Sequence, residues 1–387
     1  MPEAVIVDAA RTAVGKRNGA LRDIHPVDLG AHVLRGLAER NSLDASIIDD
    51  VVFGNVVQVG EQASNVARWS ALAAGFPEDT PGTTVDRACG SSQQAITFAV
   101  ASVVAGHYDV VLAGGVESMT RVPMGTNRNN GPGKPFGPTI FAKYGREEFS
   151  QGEGAEAIAE RWGFTRTELD SLALESHARA QAATEAGHFS EQILPITGLT
   201  KEGEEFEFAQ DEGIRPGGTL EKLGTLKTVF KEDGVITAGN SSQISDGAAA
   251  LLIMTDVKAR ELGLTPIARI HTAALAGADP VTMLTAPIPA TQKALAKSGL
   301  NASDIGTYEV NEAFASVPAA WMKEIGAPAD RVNPDGGAIA LGHPLGGSGA
   351  RIMTDLVHRM RRTNTRYGLQ TMCEAGGQAN ATILELV

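Results

Sequence analysis

Cysteine is nearly missing from this chain: two residues in 387, too few for a disulfide framework. Both, Cys89 and Cys373, lie in glycine-rich surroundings, which fits a reducing compartment. Positive charge is also short. Lysine and arginine number 33 against 46 acidic residues, for a net charge of −13. That balance excludes a nucleic-acid surface and an anionic membrane as partners, so a phosphorylated ligand would have to be held by local groups. No apolar run reaches the ~18 residues of a membrane span, and no charged-then-apolar leader opens the chain. The expectation is a cytoplasmic, untargeted protein. Metal-ligand spacing is missing among the His, Cys and acidic residues, so neither a metal nor a tightly bound cofactor is expected. No dinucleotide fingerprint follows the first apolar segment, and Lys134 in GPGKP precedes proline rather than Ser or Thr.

What remains is 43% hydrophobic and 20% charged, an ordinary globular balance, in a chain long enough for two or three core-bearing units. The first part alternates strands and helices. AVIVDA from Ala4 reads as a buried strand, Pro26 to about Arg40 as a helix, and DVVFGNV from Asp50 as a second strand. A helix follows near Ala63–Ala74, and DVVLAGG from Asp109 gives another strand. An α/β fold with a largely parallel sheet is expected. Residues 119–244 differ. Pro123–Pro138 is dense in glycine, proline and asparagine and reads as loop. Thr165 and Glu168 predict a capping box for a helix ending near Gly187, and EEFEF alternates like a half-exposed strand. GAAALLIMT from Gly247 returns to a central strand. The second half then echoes the first, in order. DVVFGNV matches IGTYEVNEA, TTVDRACGSSQQAI matches RVNPDGGAIALGHPLGGSGARI, and DVVLAGGVES matches LQTMCEAGGQAN. Duplication is the better reading of three ordered echoes. The expected units are 1–118 with 245–265, an inserted 119–244, and 266–387.

Between Arg87 and Asp109 there is no charged residue, and about Gly90 to Ala105 reads as a helix buried on every side. Cys89 opens it, facing unpaired N–H groups and the positive end of the helix dipole. Such a setting can lower a cysteine pKa from about 8.5 into the range of roughly 3.5–7.5, which makes Cys89 a candidate nucleophile. Cysteine is also commonly buried as a small hydrophobe. His343, in GAIALGHPLGGSGA, occupies the echo of the Cys89 position; by itself it could cap a turn. Cys373 ends a strand and could be structural. Asn311, in VNEAFA, could be an N-cap, and Glu312 reads as a buried, hydrogen-bonded carboxylate. Together they form an acyl-transfer set: a thiolate attacks a carbonyl, an imidazole moves a proton, and polar donors hold an oxyanion. A second thiol adds an acid/base for a carbon acid, which suits a carbon–carbon bond beside a thioester. A cysteine hydrolase built on Cys89, His343 and Asn311, with water as acceptor, is the rival reading, and a non-catalytic carrier is a third.

The chain resembles the thiolase family of CoA-dependent acyltransferases along essentially its whole length. The motifs are ARTAVGKRNGAL, CGSSQQA, AGGVESM, TAGNSSQISDGAAA, VNEAFA, GGAIALGHPLGGSG and MCEAGG. The resemblance implies a duplicated five-layer αβαβα sandwich with an inserted loop domain, acting on acyl-CoA with coenzyme A as co-substrate. It implies a homodimer or homotetramer. By similarity Cys89 carries the acyl group, and His343 activates Cys89 or the CoA thiol and contributes to an oxyanion site. Asn311 holds a water at that site, Cys373 exchanges the α-proton, and the Cys89 amide serves a second oxyanion hole. Ser242 and Ala238 match positions touching the pantetheine arm, and Arg215 one near the nucleotide. The chain departs from the family pattern in three places. Ala375 replaces the first glycine of Cys-x-Gly-Gly-Gly, which is harmless unless the backbone there needs positive φ. Gln151 stands where many members have methionine, in a stretch shaping the acyl pocket, and Pro123 is followed by Met124 rather than histidine. These departures favour a degradative 3-ketoacyl-CoA thiolase, as in fatty-acid oxidation, for acyl groups longer or bulkier than acetoacetyl. An acetoacetyl-CoA-forming enzyme is the alternative.

Overall fold

The structure, a computed structural model, describes residues 3–387. Nine strands form the main sheet. They are β1 (Ala4–Arg11), β2 (Asp50–Gly54), β3 (Gly82–Val85), β4 (Val110–Ser118), β5 (Ser245–Thr255), β6 (Ala268–Gly277), β7 (Thr307–Val310), β8 (Tyr367–Glu374) and β9 (Gln378–Leu386). Their order is β7-β8-β9-β6-β1-β5-β4-β2-β3, with a two-residue strand, Gly15–Lys16, beside β5.

The duplication is visible in this order. In the first half β2 pairs parallel with β3 and β4, β4 antiparallel with β5, and β5 antiparallel with β1. In the second half β7 pairs parallel with β8, β8 antiparallel with β9, and β9 antiparallel with β6. A parallel bridge from Tyr308 to Val332 stands where β3 pairs with β2. The halves join where Val5 and Ile6 of β1 meet Arg269 and Ala268 of β6. The expected largely parallel sheet is therefore corrected to a mixed one. The β8–β9 connection is a three-residue turn, and a connection that short can only join antiparallel strands.

Strand β5 shows how the layers arise. Successive side chains point to opposite faces, so Ala248, Ala250, Leu252 and Met254 enter one core while Ala249, Leu251 and Ile253 enter another. The first core is capped by α1 (Pro26–Arg40) and α2 (Val66–Ala73). The second holds α3 (Ser91–Val104) and α8 (Leu345–Thr363) between the two halves of the sheet. On the far side, α6 (Pro287–Ser298) and α7 (Ser316–Ile325) cover the second half. Helix, sheet, helix, sheet, helix: five layers.

Between β4 and β5 the chain leaves the sheet for α4 (Gln151–Trp162), α5 (Arg166–Glu185) and a hairpin, Ile196–Leu199 with Glu205–Phe208. Both capping-box hydrogen bonds of Thr165 and Glu168 are made. Pro123–Pro138 is not wholly loop, because Gly125 takes a left-handed φ of 88° and starts a helical turn at Thr126–Asn129. Nor is α3 buried all round. Ser91–Ile96 are enclosed, but Phe98 is 48% exposed and Ala101 is exposed. Its outward face is apolar too, so its composition could not reveal the exposed side.

Candidate active site

The loop from β3 into α3 is a tight turn. Asp86 accepts from the Ala88 N–H at 2.8 Å, and Ser91 Oγ accepts from the Arg87 N–H at 2.9 Å while donating to the Ala88 carbonyl at 2.6 Å. Ala88 is forced to φ 46°, a conformation an alanine rarely adopts. Cys89 follows and is buried, packed among Met119, Leu345, Ile352 and Met372. Two of these neighbours flank the other candidates: Leu345 is two residues past His343, and Met372 precedes Cys373.

Glycines let α8 come this close. A Cβ on Gly346 would sit 2.7 Å from Glu117 Oε2, and one on Gly349 would sit 2.8 Å from Gln93 Cβ. Glu117 fixes the crossing. Its carboxylate accepts from the N–H groups of Val56, Val57 and Gly346 and from Gln62. Burial nevertheless raises its pKa. This clamp was not legible in the sequence, because it joins residues from separate elements.

His343 sits between Gly342 and Pro344. Gly342 has φ 96°, and a Cβ there would lie 2.7 Å from Val14 Cγ1. The His343 N–H donates to Ser245 Oγ at 3.1 Å. Its Nδ1 lies 2.6 Å from Ser348 Oγ, whose own proton goes to the Pro344 carbonyl at 2.8 Å. Nδ1 therefore carries the hydrogen, and Nε2, buried without a partner, offers a free lone pair. Burial, with Arg351 adding repulsion, pushes the imidazole down to about 3, so it is neutral at physiological pH. Ser348 was not singled out in the sequence, although its spacing of five residues from His343 was there to read.

Cys373 is buried at the end of β8, in the same apolar cluster as Phe314 and Ile339. Its thiol is pushed up to about 12, by burial first and then by Glu374, with the Asn311 side chain opposing. Asn311 does not cap a helix, since α7 begins only at Ser316. Its backbone N–H donates to Thr371, and both polar side-chain atoms are buried without a well-formed hydrogen bond. Glu312 is the expected structural carboxylate, accepting from Ser176, Asn333 and the Ile339 N–H. One expectation fails. The Cys89 pKa is not lowered: burial pushes it up, and Cys373, Glu374 and Glu117 push the same way. Loss of water and nearby negative charge outweigh the helix dipole.

The remaining candidates divide into two groups. Gln151 and Ala375 line one cavity of about 420 Å³ together with Phe136, Ile140, Tyr144 and Met283. Ala375 has no positive φ, whereas Gly376 and Gly377 do, at 85° and 76°, so the alanine costs the backbone nothing. Ser242 donates its N–H to Ala313, two residues from Asn311. Ala238 and Arg215 are exposed; an Arg215 nitrogen lies 3.5 Å from Gln243, which donates to Ile339 and Ala340 just before His343. Among the described residues, no three His, Cys, Asp or Glu side chains gather to hold a metal ion, and no helix is long and apolar enough to cross a membrane.

The description "Thiolase, N-terminal domain" matches residues 4–257, and "Thiolase, C-terminal domain" matches 264–386. The chain belongs to the thiolase family. It is 51% identical to the steroid 3-ketoacyl-CoA thiolase FadA6 of Mycobacterium tuberculosis, over 100% of this chain and 94% of that one. It is 44% identical to a 3-ketoacyl-CoA thiolase of Escherichia fergusonii over the full length of both. The acetyl-CoA acetyltransferase of Bacillus anthracis superposes with a TM-score of 0.91 at 38% identity, covering 100% of this chain and 99% of the other. This thiolase thus has the duplicated sandwich expected of its family.

Proposed function

We propose that the protein is a degradative 3-ketoacyl-CoA thiolase working through an acyl-Cys89 intermediate. The observation that carries this reading is the buried, unpartnered His343 Nε2, together with two buried thiols close enough to act on each other's ionisation. As Cys89 sulfur attacks the 3-keto carbon, its proton passes to Nε2, and the C2–C3 bond then breaks. Cys373 gives its proton to the departing acetyl-CoA enolate. The thiol of a second CoA passes its proton to the Cys373 thiolate as its sulfur attacks the acyl-Cys89 thioester; the shortened acyl-CoA leaves, and Cys89 regains its proton from His343. A neutral imidazole beside a neutral thiol means that the proton moves during attack, with no ion pair standing ready beforehand. Asn311 would help hold the oxyanion, through a water, and residues 119–244 would carry the CoA, with Ser242 and Ala238 along its arm and Arg215 near its nucleotide.

The cavity beside Ala375 and Gln151 is aromatic-lined and larger than an acetoacetyl group needs, which favours a long or bulky acyl tail. The steroid thiolase among the relatives points the same way. Assembly as a homodimer or homotetramer in the cytoplasm completes the reading. Edge strand β3, flanked by Trp69 at 50% and Phe98 at 48% exposure, offers a face that a second copy would cover.

Intact-protein mass spectrometry tests the mechanism. Incubated with acetyl-CoA, Cys89→Ala should gain no acetyl group. Cys373→Ala should gain one yet fail to cleave 3-ketoacyl-CoA. Cleavage by the native enzyme without free CoA would favour the hydrolase instead.

A further inference from the structure

Glu374 occupies the variable position of the Cys-x-Gly-Gly-Gly pattern and takes no part in the mechanism above. It is fully buried, and neither carboxyl oxygen makes a well-formed hydrogen bond within the protein. Its side chain packs over Gly90, the residue after Cys89; a Cβ on Gly90 would lie 2.7 Å from Glu374 Cδ. The carboxyl therefore stands between the two thiol-bearing segments, next to Cys373 in sequence and against the Cys89 turn in space.

The surroundings of this carboxyl are sparse in charge. The turn before α3 presents Arg87 and Cys89, with Asp86 tied to the Ala88 N–H. Arg87 donates to Gln378 at 3.2 Å, and its Nε is buried without a partner. Helix α3 carries no ionisable side chain, β8 presents Cys373, and β9 presents the uncharged Gln378 and Asn380. Glu117 acts on Cys89 from β4. Among the described residues, Arg87 is the cation that offsets the charge of this carboxyl. Burial raises the carboxyl to about 8, with Arg87 and the Asn380 amide opposing.

We propose that Glu374 is a positioning residue for the two-thiol site: its buried carboxyl, once ionised, opposes thiolate formation at Cys89 and Cys373. A negative charge at this place disfavours a second and a third beside it. At alkaline pH, where the carboxyl carries its charge, the resting enzyme is thereby protected from alkylation and oxidation, which need the thiolate. The proposal rests on Cys89 being the nucleophile, but its test does not require thiolase turnover.

The test is alkylation of Cys89 by iodoacetamide in the substrate-free full-length protein, with each cysteine-containing peptide quantified by mass spectrometry across pH. Glu374→Gln keeps the shape and removes the charge. At about pH 6.5, where the native carboxyl is protonated, the two proteins should react at similar rates; near pH 9.5 the variant should react about tenfold faster. The ratio must climb through the pH range in which Glu374 ionises. A ratio that stays constant with pH would mean that Glu374 only fills space, and the proposal would fall. Glu374→Leu carries the same test if Glu374→Gln does not fold, because it too removes the charge: its rate relative to the native protein should also climb between about pH 6.5 and pH 9.5. A ratio that does not change with pH would overturn the proposal.

Discussion

His343 shows how a single side chain is set for its proposed task by neighbouring atoms. Its ring is oriented by one bond, from Nδ1–H to Ser348 Oγ, which also fixes which nitrogen keeps the lone pair. Burial then keeps the ring neutral, so acidification to pH 5 should not protonate it. Ser348→Ala removes the acceptor and leaves a buried N–H unsatisfied. The ring is then free to flip or to lose its tautomer, and misplacement on that scale can cost up to about 100-fold in rate. We expect kcat to fall 10- to 100-fold, on the order of a misaligned base, with KM nearly unchanged, as measured by steady-state thiolysis. A large rise in KM at constant kcat would show that Ser348 serves substrate binding instead. Cys89 teaches the reverse lesson about reading residues singly. Its place before a helix was legible, but the sign of its pKa shift was not, because that depends first on burial and then on Cys373, Glu374 and Glu117, which tertiary folding brings to it.

Among the elements, the α3–α8 pair matters most, because α3 starts beside Cys89 and α8 starts beside His343. The two helices meet at Ser92, Gln93 and Gly349, where Ser92 Oγ accepts the Ala350 N–H at 2.9 Å. A Cβ at position 349 would lie 2.8 Å from Gln93 Cβ and 3.0 Å from Ser92 Oγ, which forces the helices apart. Gly349→Ala should cost about 1–3 kcal/mol of stability, the usual range for overpacking. It should also lower kcat, since the proposed nucleophile and base move with their helices. Thermal unfolding and steady-state kinetics would check both; a fully stable, fully active variant would show that the crossing has slack. Much at this level was legible. The Gly-Gly pairs, the capping box and the apolar run of β5 each have a local cause. Strand direction was not legible, because β5 returns to the sheet only after residues 119–244, and no local pattern says which way it will run. The exposed face of α3 was hidden for a related reason: it is apolar whether or not anything covers it.

On the scale of the whole molecule, the question is what holds the two halves and the intervening segment in register, since the proposed site draws on all three. A large part of the answer is a buried ion cluster around Arg11 of β1. Its guanidinium makes a two-point contact with Asp211 of the inserted segment, at 2.7 and 2.9 Å, and reaches Asp355 of α8 at 3.2 Å. Asp211 also accepts the Val14 N–H at 2.8 Å, and Asp355 is shared with Arg351. Arginine suits this place because its planar fork matches a carboxylate with two parallel bonds. The sequence offered ARTAVGKRNGAL as a family motif but no partner for its arginine, because the partners lie 200 and 344 residues away. Arg11→Leu would strand the Asp211 carboxylate out of water, which typically costs about 3–5 kcal/mol. The double variant Arg11→Leu/Asp211→Leu removes both charges and should recover most of that loss, because the penalty comes from the unpaired ion rather than from the missing attraction. Urea unfolding of the native protein, each single variant and the double variant measures the coupling directly. If the two single losses simply add, Arg11 and Asp211 are energetically independent, and the register of the three units must be set by their apolar layers alone.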